Sequence, residues 1–154
     1  MIEGLFETHI NVVDLDKASK FYEDTLGLSL AYEDSRRRVR FYWLGKPGNA
    51  MLGLWEKDPS QIIRQHYAFQ TSIENMKRIV PWLKERGIAV RNFLNDGTER
   101  PFVFGWMPAV SIYFSDPDGH SLEFISMLSD APKPELGVVA WEEWERNHGR
   151  ILEI

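Results

Sequence analysis

The hydrophobic pattern switches between two periods along the chain. Residues 6–13 change face at every position, with His9, Asn11 and Val13 on one side and Thr8, Ile10 and Val12 on the other. This predicts a half-buried strand. Over 16–26 the apolar residues Ala18, Phe21, Tyr22 and Leu26 recur at helical spacing, with Asp14 or Asp16 placed to cap the start and Gly27 to stop it. Three strand-like runs follow: Leu28 to Glu33, Arg38 to Leu44 and Ala50 to Glu56. A charged turn and Lys46-Pro47-Gly48-Asn49 separate them. The order is βαβββ. The second half repeats it, with a strand from His66 to Thr71, a helix from Ile73 to Arg86 stopped by Gly87, and strands over Ile88 to Phe93, Val110 to Phe114 and Ser121 to Ser126.

Repetition of a whole unit outranks any single motif in setting the architecture. A four-stranded sheet with one helix covers only one of its faces, so the open faces of two such modules are expected to meet around a cleft. The reading is an α+β fold of two tandem βαβββ modules, about 4–56 and 65–126, forming one domain over 1–126 around a cleft. The connection through Lys57-Asp58-Pro59-Ser60 is too short for the modules to wander independently. Beyond 126 the character changes. Residues 127–154 read as an extended linker around Pro132 and Pro134 and a helical C-terminal tail, whose Trp141 and Trp144 share one face. Two indoles at i and i+3 predict packing against the body or a partner subunit.

Composition narrows the chemistry. With 154 residues, 44% of them hydrophobic, the chain can bury a substantial core, and a net charge of −5 gives no basic surplus for nucleic acid. No apolar run approaches the ~18 residues of a membrane span. Met1-Ile2-Glu3-Gly4 begins no basic leader, so a cytoplasmic protein is expected. With no cysteine, any metal must be held by nitrogen and oxygen. His9 and His66 stand at matching places in the two first strands, and Glu123 lies between Leu122 and Phe124, where an uncompensated carboxylate would be costly to bury. Two imidazoles and one carboxylate form a divalent-metal site. Aligning Leu52 with Leu122 sets Gly53 opposite Glu123, so the first module has no side chain at the corresponding place. Glu56, three residues on, is expected to face the other way. Three protein ligands leave positions open for substrate, the mark of a catalytic metal.

His9, the Phe21-Tyr22 helix ending at Leu26-Gly27, His66, Trp82-Leu83-Lys84-Glu85-Arg86-Gly87 and the run from Phe114-Ser115-Asp116-Pro117-Asp118-Gly119 to Glu123 together resemble the vicinal oxygen chelate superfamily. That superfamily spans glyoxalases, fosfomycin-modifying thiol transferases, extradiol dioxygenases and metal-free bleomycin-binding proteins. The resemblance covers about 4–126. It implies His9, His66 and Glu123 as ligands of a divalent ion (Mn, Ni, Zn or Fe), a small oxygen-rich substrate, a thiol cosubstrate in some branches, and a homodimer. Gly53 departs from the lactoylglutathione lyase pattern, and Phe124-Ile125-Ser126-Met127 lacks the arginine that follows the final glutamate in fosfomycin-modifying enzymes. A metal-free drug-binding protein is the alternative, against which retention of all three ligands weighs.

Other residues are candidates for tuning the pocket. Tyr113, aligned across the repeat with Trp43, is a potential proton donor, with core packing as the rival role for both. Arg36, Arg38, Arg40 and Tyr42 share a strand face that could draw an anionic substrate. The Pro- and Gly-punctuated run from Arg100 to Pro108 reads as a lid or a dimer contact, and Thr8, Asn11 and Gln70 as substrate-orienting or strand-bonding groups. Asp-Pro-Asp-Gly is a tight turn, in which His120 is a turn residue; His148 falls in the tail.

Overall fold

The computed structural model describes residues 1–152. The chain forms two compact units, residues 1–65 with 116–120, and 66–115 with the segment from 121 onward. Each is built on a mixed sheet.

In the first unit, β1 (Glu7–Val12) is followed by α1 (Leu15–Lys20), a π-helical turn (Phe21–Thr25), β2 (Ser29–Asp34), β3 (Val39–Leu44) and β4 (Ala50–Glu56). The sheet order is β1-β4-β3-β2, with β1 parallel to β4. Alternation along β1 buries Ile10 and Val12 and leaves His9 on the open face. Asp14 is the N-cap of α1, accepting from the amides of Asp16 and Lys17. Leu15, Ala18, Tyr22, Tyr42, Leu52 and Leu54 form the core beneath the helix. The Asp-Pro-Asp-Gly turn closes this unit: the Asp116 carboxylate accepts from the amides of Asp118 and His120 and from the Tyr22 hydroxyl.

The second unit holds β5 (His66–Gln70), α2 (Ile73–Met76), α3 (Ile79–Glu85), β6 (Phe102–Phe104), β7 (Ala109–Ser115), β8 (Ser121–Met127), β9 (Val138–Ala140) and α4 (Trp141–Asn147), with sheet order β5-β8-β7-β6-β9. The single helix expected over 73–86 is broken at Lys77 and Arg78. Pro81 has no amide to give the Lys77 carbonyl and its ring crowds that group, so a new helix must start just before it.

Two further expectations are corrected. Ile88 to Phe93 is not a strand: only Arg91 pairs, as an isolated bridge to Tyr113. The neighbouring Asn92 is fully buried, and its amide donates to Asp96 and Thr98, which bends the chain away from the sheet. The run from Arg100 to Pro108 is not a lid. It contains β6, whose Phe102 and Val103 are buried and which pairs with β7 on one side and β9 on the other. The tail thus extends the second sheet by one strand. Trp141 and Trp144 are buried as their spacing predicted, donating from their indole nitrogens to Glu145 and Asp130.

Candidate metal centre

His66 and Glu123 are brought together in the second unit. They lie on adjacent parallel strands, β5 and β8, with His66 opposite Ser121 and Glu123 opposite Ala68, so both face the same side of the sheet. His66 Nε2 is 3.2 Å from Glu123 Oε2. Two donor atoms bound at about 2.0–2.2 Å to one ion lie roughly 3 Å from each other, so this separation suits a shared cation. The imidazole is oriented from behind: Nδ1 donates to the Ser121 carbonyl over 3.0 Å. Because a carbonyl only accepts, this bond puts a proton on Nδ1 and leaves Nε2 as the ring nitrogen that faces the carboxylate.

Glu123 is deeply buried, its side chain 5% exposed against 51% for His66. Burial pushes its carboxyl above the usual range, with the Ser111 hydroxyl and His66 pulling the other way. Its Oε1 is buried without a hydrogen-bond partner among the described residues. A carboxylate in that condition carries a desolvation cost that its neighbours Ser111 and His66 offset only in part. The donor set, one imidazole nitrogen and one orphaned carboxylate oxygen, fits a hard or borderline dication.

Around this pair stand Tyr113 and Arg91. Tyr113 lies opposite Glu123 on β7, its ring 5.7 Å from that of His66. Burial pushes its hydroxyl up to about 12, so Oη keeps its proton at neutral pH. Arg91 lies over the Tyr113 ring at 5.1 Å and donates to the Ser121 hydroxyl at 2.5 Å. Sequence reasoning missed Arg91, because nothing local to Ile88 to Phe93 signals the bridge that pairs Arg91 with Tyr113.

His9 lies in the first unit. Its Nε2 contacts the Glu7 carboxylate, and its ring meets Phe41 edge-on at 5.5 Å and Trp55 at 5.7 Å. His9 is directly opposite Gly53 on β4. A Cβ at position 53 would fall 2.7 Å from His9 Cδ2 and 3.1 Å from Phe41 Cε1. The glycine is therefore the seat of the imidazole, and a side chain there would displace it. Among the described residues no three His, Asp or Glu side chains gather around a point.

Strand register corrects the alignment of the halves. Equating His9 with His66 sets Gly53 against Ser121 and Trp55 against Glu123; equating Gly53 with Glu123 sets Glu7 against His66. The two alignments differ by two residues and cannot both hold. The second also pairs Tyr113 with Phe41, not with Trp43, which lies opposite Met51. Arg38 and Arg40 are not free for substrate. Arg38 donates to both oxygens of Glu56 at 2.8 and 2.6 Å, and Arg40 bonds Asp16, Glu33 and Ser19. Tyr42 is buried on Ser19 and Glu23. Glu56 faces away from Gly53, as alternation predicts, and accepts from the Leu15 amide. His120 is a buried clamp, with Nδ1 accepting from the Gln65 amide and Nε2 donating to the Asn11 carbonyl.

Two units, each built on a mixed sheet, one of them carrying an imidazole–carboxylate pair on adjacent strands, define a class of protein. The chain belongs to the Glyoxalase/Bleomycin resistance protein/Dioxygenase superfamily, whose family model matches residues 4–124. It is 28% identical to a protein named metallothiol transferase FosB from Staphylococcus saprophyticus, over 95% of this chain and 96% of that one. It is 22% identical to the lactoylglutathione lyase of Schizosaccharomyces pombe, of whose length it spans 50%. Among solved structures, an integron cassette protein, HFX_CASS4, from the mobile metagenome of a Halifax Harbour sewage outfall shares 34% identity, with a TM-score of 0.70, covering 82% of this chain and all of that one.

Proposed function

We propose that the protein is a divalent-metal-dependent enzyme acting on a small, oxygen-rich substrate, with the metal held by His9, His66 and Glu123. The observation that carries this reading is Glu123 Oε1, buried and unpartnered beside an imidazole whose Nε2 faces the same carboxylate. A bound dication supplies Lewis acidity to a substrate oxygen and withdraws electron density from the carbon that bears it. Ser121 holds the His66 tautomer, Tyr113 Oη holds a proton that it can donate to a developing oxyanion, and Arg91 offers a guanidinium to an anionic group on the substrate. Among the described residues no salt bridge engages Arg91. Similarity to a metallothiol transferase over nearly the full length of both chains supports a thiol as cosubstrate. His9 reaches the centre from the same chain or from a second copy in a homodimer. Mixing His9→Ala with Glu123→Gln chains distinguishes these, since metal sites are regenerated only when ligands are exchanged between copies.

The test is metal uptake followed by turnover. Wild-type protein stripped of metal is expected to bind one Mn, Ni, Zn or Fe per site, His66→Ala and Glu123→Gln to lose it, and Tyr113→Phe to bind metal but turn over slowly. The loaded protein is then assayed with fosfomycin plus thiols, hemithioacetals and catechols. Failure of the wild type to take up any of the metals overturns the reading in favour of a metal-free binder.

A further inference from the structure

We infer that the second unit holds a further ligand site, a cavity between α2, the segment after β8 and the C-terminal tail, which takes a small monocarboxylic acid with an apolar body. The cavity measures about 360 Å3, toward the lower end of the roughly 300–1,000 Å3 of small-molecule sites. Ile73 of α2 and Lys77 at its end form one wall; the others come from the residues just after β8, from α4 and from the residues that follow it. The family model ends at residue 124, so every wall except α2 is built by chain beyond it. None of the described residues that line the cavity belongs to the candidate metal centre. Glu123 and Phe124 project from opposite faces of β8, and α3, into which α2 leads, packs Trp82 on Phe124 with ring centroids 6.1 Å apart. The helix wall therefore stands behind the sheet face that carries His66 and Glu123.

The charged groups of the lining differ in what is left over for a ligand. Arg150 donates from Nη1 and Nη2 to the two oxygens of Asp130, at 2.8 and 2.7 Å, and from Nε to Glu145 Oε2. The indole of Trp144 donates to Asp130 and that of Trp141 to Glu145 Oε1. All four carboxylate oxygens thus have partners inside the tail. Lys77 is different: it is half-buried, and among the described residues it forms no salt bridge. A partly desolvated ammonium without a counter-ion favours an anion, whose charge-assisted hydrogen bond offsets the lost water. Ile73 lies one helical turn before Lys77 and so shares its side of the helix. With Leu128, Trp141, Ile151 and Leu152 it gives the apolar surface against which the body of the ligand packs. Asp130, Glu145 and Arg150 together carry one net negative charge, which repels a second anionic group on the ligand. One carboxylate head on an apolar body is the chemistry that this lining fits.

The probe is octanoate, titrated into the full chain by calorimetry, with the assigned indole N–H resonance of Trp141 reporting where it binds. Saturable binding with a shift at Trp141 is expected. Lys77→Gln keeps most of the stem and removes the charge; it should leave the melting temperature unchanged, since no ion pair is lost, and weaken octanoate about 10-fold or more, the worth of one hydrogen bond to a charged group. Ile73→Trp, which fills the cavity from the same side of the helix, should weaken it as well. Acetate, which has the head without the body, should show no saturable binding, and octyltrimethylammonium, which has the body with the opposite charge, should bind more weakly than octanoate. Absence of saturable octanoate binding by the wild type overturns the inference. So does wild-type affinity in Lys77→Gln or in Ile73→Trp, tighter binding of the cation than of octanoate, or binding that leaves the Trp141 resonance in place.

Discussion

Replacing Gly53 by alanine tests whether the backbone of β4 exists in its glycine form to seat an imidazole. The added Cβ would fall 2.7 Å from His9 Cδ2 and 3.1 Å from Phe41 Cε1, closer than carbon atoms approach without displacement. Overpacking in a rigid core costs about 1–3 kcal/mol. Here the ring that must move is 41% exposed and can swing toward solvent, so the cost should lie at the low end. The reduced chain entropy of the unfolded state for alanine against glycine returns about 0.4–1 kcal/mol. The net effect on stability should be within about 1 kcal/mol, equivalent to a melting-temperature change of roughly 2–4 °C for a chain of this size. Metal affinity should respond much more strongly, by about 10–100-fold, if the displaced His9 imidazole is the ligand proposed above. The assay is calorimetric metal titration with thermal unfolding on wild type, Gly53→Ala, His9→Ala and the double variant. If Gly53 acts through His9, adding Gly53→Ala to His9→Ala should change nothing further, a non-additivity expected of residues in contact. Additive losses, or Gly53→Ala with wild-type metal affinity, would refute the reasoning.

Trp144→Ala should destabilise the protein by about 3–5 kcal/mol in urea unfolding, since it empties a fully buried indole site and removes the bond to Asp130; a loss under 1 kcal/mol would show that the tail is not part of the folded body. Glu56 is held at about 2 by its bonds to Arg38 and to the Leu15 amide, below its ordinary 4.5. A carboxyl depressed in the folded state contributes stability above its unfolded pKa and loses it as pH falls toward the folded value. Urea midpoints of wild type and Glu56→Gln should therefore differ at pH 7 and converge as pH is lowered from about 4.5 toward 2; a constant gap would contradict this assignment.

Much of the first unit is legible because its signals are local. The two-residue alternation of β1, the Asp14 cap and the helical spacing through Tyr22 each depend on neighbours within a few positions, and β4 runs from Ala50 to Glu56 as its pattern predicts. The tail tryptophans are legible for the same reason. The second unit misleads where a side chain overrides the pattern. Asn92, drawn into a buried turn, ends what reads as a strand after Arg91, and the apolar run of β6 is stabilised by pairing with the adjacent β7 and with β9, which lies far along the chain.

The sequence by itself determined the βαβββ order of the first half, the face each residue takes along its own strand, and three of the groups that carry the candidate chemistry, His9, His66 and Glu123. Periodicity and turn chemistry are properties of contiguous residues, so they survive without a structure. Only the tertiary structure decided which faces meet in which register. The offset between β1–β4 and β5–β8 showed that the two histidines and the Gly53–Glu123 pair cannot be aligned together, seated His9 on Gly53, set Glu7 against His9 Nε2 and delivered Arg91 to Tyr113. Pairing between strands far apart in the chain is fixed by hydrogen bonds and packing of the whole sheet, and a shift of two residues leaves the hydrophobic pattern unchanged while exchanging every partner.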